Sequence, residues 1–401
     1  MTARRDSAAL TVASVVNGIA AYATAVIASR GLDDVGFAAF SVSWSLWALS
    51  VALLVFPVQH WIIWRGALDG GTAGVRDALP RVLSLVVVVL GVLWLAGSSD
   101  RLFPSGRGWS LLLVLVGASS AMLGLGRGAL AAEGRYGDVA WVLGGENVLR
   151  LLALVGVLLV TSEPQPAVLT LAVGVLVLLP FIPHLRLGAG EAAGEVRVMA
   201  ELGALAGASA VAQTLVQFPP AFAEWLGEPP EMVAAIFATF SLGRAPLLVI
   251  LAVSTRLMDP ITRFFARSAQ EVRPLLRVVF LGMAGGVVVT GVLSYLIGPE
   301  VVVLFFGPDR ALDRVDTSLV GAGLALAAVG VLATLGLMAK GSNRLAVGYW
   351  LIALVMAIAL ATLGGGIPGA FLLAETAAVS LCCGTLWLLA PRPQVPSDPS
   401  R

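Results

Sequence analysis

The 401-residue chain is 58% hydrophobic and only 12% charged, and its mean hydropathy is +0.94. An ordinary soluble domain has about 25% charged residues, so this composition excludes a soluble enzyme or binding module. The formal net charge of +1 leaves no basic excess, and we expect no nucleic-acid partner.

The apolar residues are collected in runs of membrane-spanning length. A bilayer core of about 30 Å takes about 20 residues in a helix. Twelve runs qualify, and none shows the alternation typical of a transmembrane β-barrel. The sequence therefore predicts an all-α integral membrane protein with about twelve transmembrane helices. The predicted spans are 8–29, 36–64, 79–97, 109–132, 139–160, 166–187, 201–223, 232–254, 274–297, 317–338, 345–363 and 368–390.

A short motif occurs twice in the chain. Residues 37–41 read FAAFS, and residues 237–241, two hundred positions later, read FATFS. The same offset relates Asn17 in the first span to Gln217 in the seventh. Duplication of a six-span unit gives two parallel repeats. We predict two six-helix lobes around a central cleft, an N-terminal lobe of residues 1–200 with spans 1–6 and a C-terminal lobe of residues 201–401 with spans 7–12.

The basic residues are unevenly divided between the two sides of the predicted bundle. With both termini on the same side, most of the 25 Lys and Arg residues fall in connections on that side. The positive-inside rule then places both termini in the cytoplasm. The balance of 24 Arg to one Lys resembles the codon bias of a GC-rich bacterium, in which such a protein would lie in the plasma membrane. Five basic residues fall outside: Arg30, Arg101, Arg107, Arg310 and Arg314.

Four ionisable residues stand out within the predicted spans, because a charge at the centre of a membrane helix costs about 2.5 to 3.5 kcal/mol. Glu146 and Arg150 are four residues apart on one helical face and can form an ion pair. The pair either joins span five to its neighbours or faces a cleft, where it could contact substrate or handle a proton. Arg244 has no acidic neighbour within four residues, so its partner must come from another span, from water or from an anionic substrate, which makes it the sharper candidate. Glu375 could exchange a proton during transport or bond to another span.

Four further residues complete the candidate substrate site. Arg30 and Arg65, near the ends of their spans, could supplement Arg244 on a diphosphate, or could extend to lipid headgroups. Asn17 and Gln217 could bond sugar hydroxyls, although they could equally well bond neighbouring helices. No catalytic residue and no metal ligand set is predicted.

Several segments resemble one family. Residues 30–40 are similar to the turn after span one of the polysaccharide-biosynthesis flippases, which belong to the multidrug, oligosaccharidyl-lipid and polysaccharide (MOP) exporter superfamily, although Val35 replaces the usual aromatic residue. Residues 126–136 resemble the turn after span four, 146–151 the start of span five, and 241–247 the pattern of span eight. Many of these flippases have fourteen spans, two more than this chain.

The resemblance implies a transporter and no enzyme. Its expected cargo is a polyprenyl-diphosphate-linked oligosaccharide, flipped by alternating access for cell-surface polysaccharide biosynthesis. Membrane lipids and other polysaccharide-biosynthesis proteins would be its partners, and the cofactor prediction is none, with coupling to H⁺ or Na⁺. The alternative is a multidrug or cation antiporter of the same superfamily. Isolated carboxylates in the cleft would favour this antiporter, whereas clustered Arg side chains would favour a diphosphate cargo. A membrane glycosyltransferase or polymerase and a non-transporting scaffold are the remaining alternatives.

Overall fold

The computed structural model describes residues 2–69, 75–103, 108–184, 211, 213–244, 269–340 and 342–389. These residues form helices and turns, and no strand occurs among them. Within these ranges, nine helices are long and apolar enough to cross a membrane. The predicted all-α, multi-pass membrane class is therefore confirmed.

Thirteen α-helices are numbered here in chain order. A π-helical turn, Val51–Val55, joins α2 to α3, and a 3₁₀ helix, Gly174–His184, follows α7. The helices are α1 Thr2–Gly31, α2 Asp34–Ser50, α3 Phe56–Asp69, α4 Val75–Gly97, α5 Gly108–Ala132, α6 Tyr136–Leu158, α7 Pro164–Val173, α8 Pro219–Leu226, α9 Pro230–Gly243, α10 Ala269–Phe306, α11 Arg314–Ala339, α12 Asn343–Thr362 and α13 Ile367–Leu389.

Nine predicted spans coincide with the nine long apolar helices. The span predicted at 79–97 is helical in α4, whose apolar part is the shorter stretch Val82–Gly97. The spans predicted at 201–223 and 232–254 lie partly outside the described residues. The count of twelve, the boundary between residues 200 and 201, and the central cleft stay predictions.

Helix α10 differs from its predicted span. The prediction ended it at residue 297, directly before Gly298, Pro299 and Glu300. The helix instead continues to Phe306, with both Pro274 and Pro299 inside it. A continuing helix keeps the backbone groups of the apolar residues 301–306 bonded to one another, which a low-dielectric surrounding strongly favours.

The junction between α2 and α3 is irregular for a local reason. Pro57 has no backbone N–H and cannot continue the regular bonding of the helix, and the π-helical turn ends two residues before it. On α5, a Cβ added to Gly124 would lie 2.8 Å from the carbonyl oxygen of Leu54. Only glycine therefore allows α5 to approach the backbone of this turn so closely.

The first compact unit comprises residues 1–242 and 300–312. In it α1 packs along α6, α5 contacts α3 and α4, and α2 contacts α7 and α8. Its aromatic core joins the two copies of the repeated motif. Phe37 lies edge-on to Phe237 at 5.5 Å between ring centroids, and both rings are fully buried.

The second compact unit comprises residues 243–299 and 313–401. Among its described residues, α13 packs against α11 and α12. Leu337, Ala346 and Cys382 belong to its buried core. The indole N–H of Trp350 donates to Thr334 Oγ1 at 2.9 Å, which satisfies a buried polar group between α12 and α11.

Candidate functional site

Polar side chains of three helices meet inside the first unit. We refer to Asn17 of α1, Arg127 of α5, and Glu146, Asn147 and Arg150 of α6 as the arginine cluster. Four of the five are buried, with exposed fractions of 4% for Arg127 and 1% for Arg150, while Asn17 is half-buried. Buried polar groups need hydrogen-bond or ion-pair partners, and many of these side chains find their partners among one another.

Glu146 lies between two guanidinium groups. Its Oε2 forms an ion pair with Arg127 Nη2, and its Oε1 lies 3.9 Å from Arg150 Nη1. The predicted pair of Glu146 and Arg150 is present, but the closer partner of the carboxylate is Arg127. Two positive groups face one negative group, so the cluster carries a net positive charge.

Arg150 is held by the protein on several sides. Its Nη1 donates to Asn147 Oδ1 at 2.6 Å, and its Nε donates to the carbonyl oxygen of Leu171 at 2.9 Å. Leu171 lies in the last turn of α7, where carbonyls lack an intrahelical partner and attract cations. The guanidinium also lies over the ring of Trp47, 4.7 Å from its centroid, in a cation–π contact.

Asn147 extends the cluster to α1. Its Nδ2 donates to Asn17 Oδ1 at 2.8 Å. The hydrogen bonds therefore connect α1, α6 and α7 through Asn17, Asn147 and Arg150. The sequence left open whether Asn17 bonds a neighbouring helix, and in this conformation it does.

The cluster contains more donors than acceptors. Among the described residues, Arg127 Nε, Arg150 Nη2 and the indole N–H of the neighbouring Trp47 are buried donors without a hydrogen-bond partner. The one acceptor of the cluster that also lacks a hydrogen bond there, Glu146 Oε2, is in the ion pair with Arg127. A buried donor without an acceptor is costly, and a donor surplus beside a net positive charge is suited to an anionic group with several oxygens.

The 3₁₀ helix after α7 leaves room for Arg150 at Gly174. A Cβ added to Gly174 would lie 2.6 Å from Arg150 Nε and 2.7 Å from Cζ. We expect Gly174→Ala to displace the guanidinium and to lower the free energy of unfolding by about 1 to 3 kcal/mol. The measurement is an unfolding titration in mixed micelles followed by tryptophan fluorescence.

Gly156→Ala is the matched control, because a Cβ at this position in α6 meets nothing within 4 Å. Alanine is the better helix former, so this variant should equal or exceed the wild type by up to about 1 kcal/mol. Equal stability of the Gly174 and Gly156 variants would contradict the close contact with Arg150.

The other predicted site residues lie elsewhere. Arg30 donates to backbone carbonyls at the end of α10, and Arg65 lies in α3 with its side chain outside the described part of the structure. Gln217 is half-buried, and its Oε1 has no hydrogen-bond partner among the described residues. Arg244 belongs to the second unit, is only 4% exposed and is engaged in an interaction.

Glu375 of α13 also belongs to the second unit. It is fully buried, and neither of its carboxyl oxygens has a hydrogen-bond partner in the part of the chain that the structure describes. The bond to a Ser or Thr of another span, which the sequence left open, is not found there. Within the same ranges, no group of three or more His, Cys, Asp and Glu could hold a metal ion.

Sequence reasoning missed Arg127 and Trp47. Arg127 was assigned to the cytoplasmic connection after span four, although it lies inside the run 109–132 with five apolar or small residues after it. That position inside the run was the available signal. Nothing in the sequence indicates that Trp47 lies against Arg150, because the contact depends on how α2 and α6 are rotated.

The fold has known counterparts. An inward-facing multidrug resistance MATE family transporter of the MOP superfamily superposes with a TM-score of 0.64 at 16% identity, covering 94% of this chain and 99% of that one. The chain has the fold of the MATE transporters. A variant of the Vibrio cholerae MATE transporter VcmN gives a TM-score of 0.60 at 15% identity, with 94% of each chain covered. An outward-facing MATE transporter of the superfamily gives 0.59 at 14% identity, covering 95% and 94%.

Sequence comparisons are less specific than this match to the MATE fold. No protein-family model matches the chain. Uncharacterized proteins of Mycobacterium bovis and Mycobacterium tuberculosis are each 26% identical over 317 residues, covering 74% of this chain and 71% of the relative. The comparisons therefore identify the fold of this chain.

Proposed function

We propose that this protein is a transporter of the MOP superfamily that flips a polyprenyl-diphosphate-linked oligosaccharide across the bacterial plasma membrane by alternating access. The MATE fold, matched over 94% of the chain, supports transport. The net positive charge of the arginine cluster is the observation that favours an anionic cargo.

The chemistry of the arginine cluster suits the head of such a cargo. A guanidinium presents fixed donors that match phosphate oxygens in pairs, and Arg127 and Arg150 each keep a buried donor atom unbonded among the described residues. Asn17 and Asn147 supply amide groups of the kind that bond sugar hydroxyls. Contact with cargo would require the cluster to open, since Arg150 is only 1% exposed in this conformation.

The other residues predicted from the sequence are candidates either for contact with the cargo or for coupling to an ion. Arg244, Arg65 and Gln217 remain proposed cargo contacts. Arg30 is a weaker candidate, because its guanidinium already bonds two carbonyls. For coupling to H⁺ or Na⁺, Glu375 is preferred over Glu146, whose charge is already balanced by two guanidinium groups.

The test is deletion of the gene, followed by mass spectrometry of the lipid-linked oligosaccharides on the inner leaflet. We expect the lipid-linked precursor to accumulate there, wild-type protein to restore its level, and Arg150→Gln or Arg244→Gln to fail. Arg135→Gln is the control, because Arg135 pairs with Asp138 in the partly exposed turn before α6. Immunoblots of membranes establish equal amounts of each variant. Unchanged precursor levels after deletion would contradict the proposal.

An exporter of cationic compounds is the second candidate. Two observations favour it: the solved structure with the 0.64 TM-score is that of a multidrug resistance transporter, and Glu375 is an isolated buried carboxyl group among the described residues. This candidate predicts that the deletion strain is more sensitive to lipophilic cations and has normal lipid-linked precursors. The same strain therefore separates the two functions.

A further inference from the structure

Residues 300–312, which we call the strap, comprise the last seven residues of α10 and the segment that follows them towards α11. They pack on the first unit, although the chain on both sides of them belongs to the second. Val302 and Phe306 are buried, with at most 1% exposed. Tyr22 of α1 lies edge-on to Phe305 and Phe306, at 5.5 and 5.8 Å between ring centroids. The strap therefore packs against the C-terminal part of α1.

Arg30, the last basic residue of α1, fastens the helical part of the strap. Its Nη2 donates to the carbonyl oxygen of Leu304 at 2.7 Å, and its Nε donates to that of Phe305 at 2.8 Å. Both carbonyls lie in the last turn of α10, where they have no intrahelical partner and carry partial negative charge. Arg30 thus acts as a C-terminal cap supplied by another helix.

A second fastening lies at the other end of the strap. Arg310 Nη1 is 2.6 Å from Asp34 Oδ1 in the first turn of α2, and its guanidinium lies 5.1 Å from the centroid of the Phe37 ring. The Asp34 side chain is 43% exposed, so water and salt can reach this ion pair. The Arg310 side chain is only 8% exposed, so solvent reaches the pair from the Asp34 side, where salt can screen it.

The backbone of the strap can bend at two positions. Pro299, immediately before it, has no N–H and weakens the helix at Gly298–Pro299. Gly307, after the last helical residue, has a φ of 111°, which side-chain-bearing residues rarely adopt. Either position could absorb a rotation of residues 300–306 without distorting the rest of α10.

We propose that the strap is a releasable latch. In the closed state Asp34 and Arg30 hold it against the first unit. In the open state the Asp34–Arg310 pair and the Arg30 hydrogen bonds are broken, the strap pivots at Gly298–Pro299 and Gly307, and the end of α1 becomes accessible to water. This inference concerns movement of the strap and does not depend on which cargo is carried.

A cysteine under the strap reports on its release. Ser29 is 5% exposed, and its Oγ lies 3.4 Å from the carbonyl oxygen of Phe306. Ser29→Cys would be introduced where Cys382 and Cys383 are replaced by Ala, and the purified full chain labelled with a polar maleimide in detergent. When opening is fast, the labelling rate follows the open fraction. We expect Arg310→Ala and the milder Asp34→Asn to speed labelling about fivefold, the effect of losing one such pair.

The exchanged pair, Asp34→Arg with Arg310→Asp, should return labelling towards the slow wild-type rate. Molar NaCl should speed labelling of the wild type and have little effect on Arg310→Ala. Arg135→Ala is the control, because it breaks another partly exposed Arg–Asp pair, Arg135 with Asp138 at the start of α6, outside the strap. Size-exclusion profiles identify any misfolded variant. Unchanged labelling in Asp34→Asn, or no recovery in the exchanged pair, would overturn the proposal and leave the strap a fixed anchor.

Discussion

Glu146→Gln is expected to lower the free energy of unfolding by about 3 to 5 kcal/mol. The change keeps the shape of the side chain and removes only its charge. Arg127 and Arg150, both at most 4% exposed, then face each other without a counter-charge. Removing one partner of a buried ion pair is far more costly than never having built the pair. The measurement is an unfolding titration in mixed micelles, with tryptophan fluorescence as the signal.

Two variants show whether the loss comes from the unbalanced charge. Glu133→Gln removes an acid from the exposed turn after α5, where the nearest cation, Arg135, is 3.9 Å away, and should change stability by at most about 0.5 kcal/mol. Adding Arg127→Gln to Glu146→Gln removes one excess charge and should recover part of the loss. If the single Glu146 variant is as stable as wild type, the cluster is hydrated and open, contrary to its burial here.

Glu375→Leu is expected to have opposite effects on stability and transport. Among the described residues, the buried carboxyl group has no hydrogen-bond partner, so an apolar side chain of similar size removes a desolvation cost. We expect the free energy of unfolding to rise by about 1 to 3 kcal/mol. If Glu375 couples transport to an ion, complementation of the deletion strain should be lost with this variant.

Thr376→Ala provides the comparison for Glu375→Leu on the same helix. Thr376 is exposed, and its hydroxyl bonds the Leu372 carbonyl of its own helix, so its removal should alter neither stability nor transport appreciably. A Glu375→Leu variant that is less stable than wild type would mean that the carboxyl group has a structural partner. One that is more stable and still fully active would exclude Glu375 from coupling.

Much of the fold could be predicted from hydropathy, because each long apolar run must form a helix to satisfy its backbone in lipid. The end of α10 could not be predicted in this way, because Gly298 and Pro299 are typical of a turn in water but are tolerated within a membrane helix. The sequence also left open the rotation of each helix about its axis, and this rotation decides which side chains meet.

In the candidate site, contacts within one helix could be predicted from the sequence, and contacts between helices could not. Glu146 and Arg150 are neighbours because a helix repeats every 3.6 residues, so their proximity could be predicted from spacing alone. Arg127 joins them from α5, and the Leu171 carbonyl from α7. Arg30 was predicted as a cargo contact from its charge, yet it caps α10, a helix whose last turn lies 274 residues further along the chain.

The contact between Phe37 and Phe237 has an evolutionary consequence. Each phenylalanine belongs to one copy of the repeated motif, and each fills part of the space around the other. A smaller side chain in one motif would leave a void beside the other, and a larger one would displace it. The two motifs are therefore not free to diverge separately, because a substitution in one copy changes which residues the other can accept.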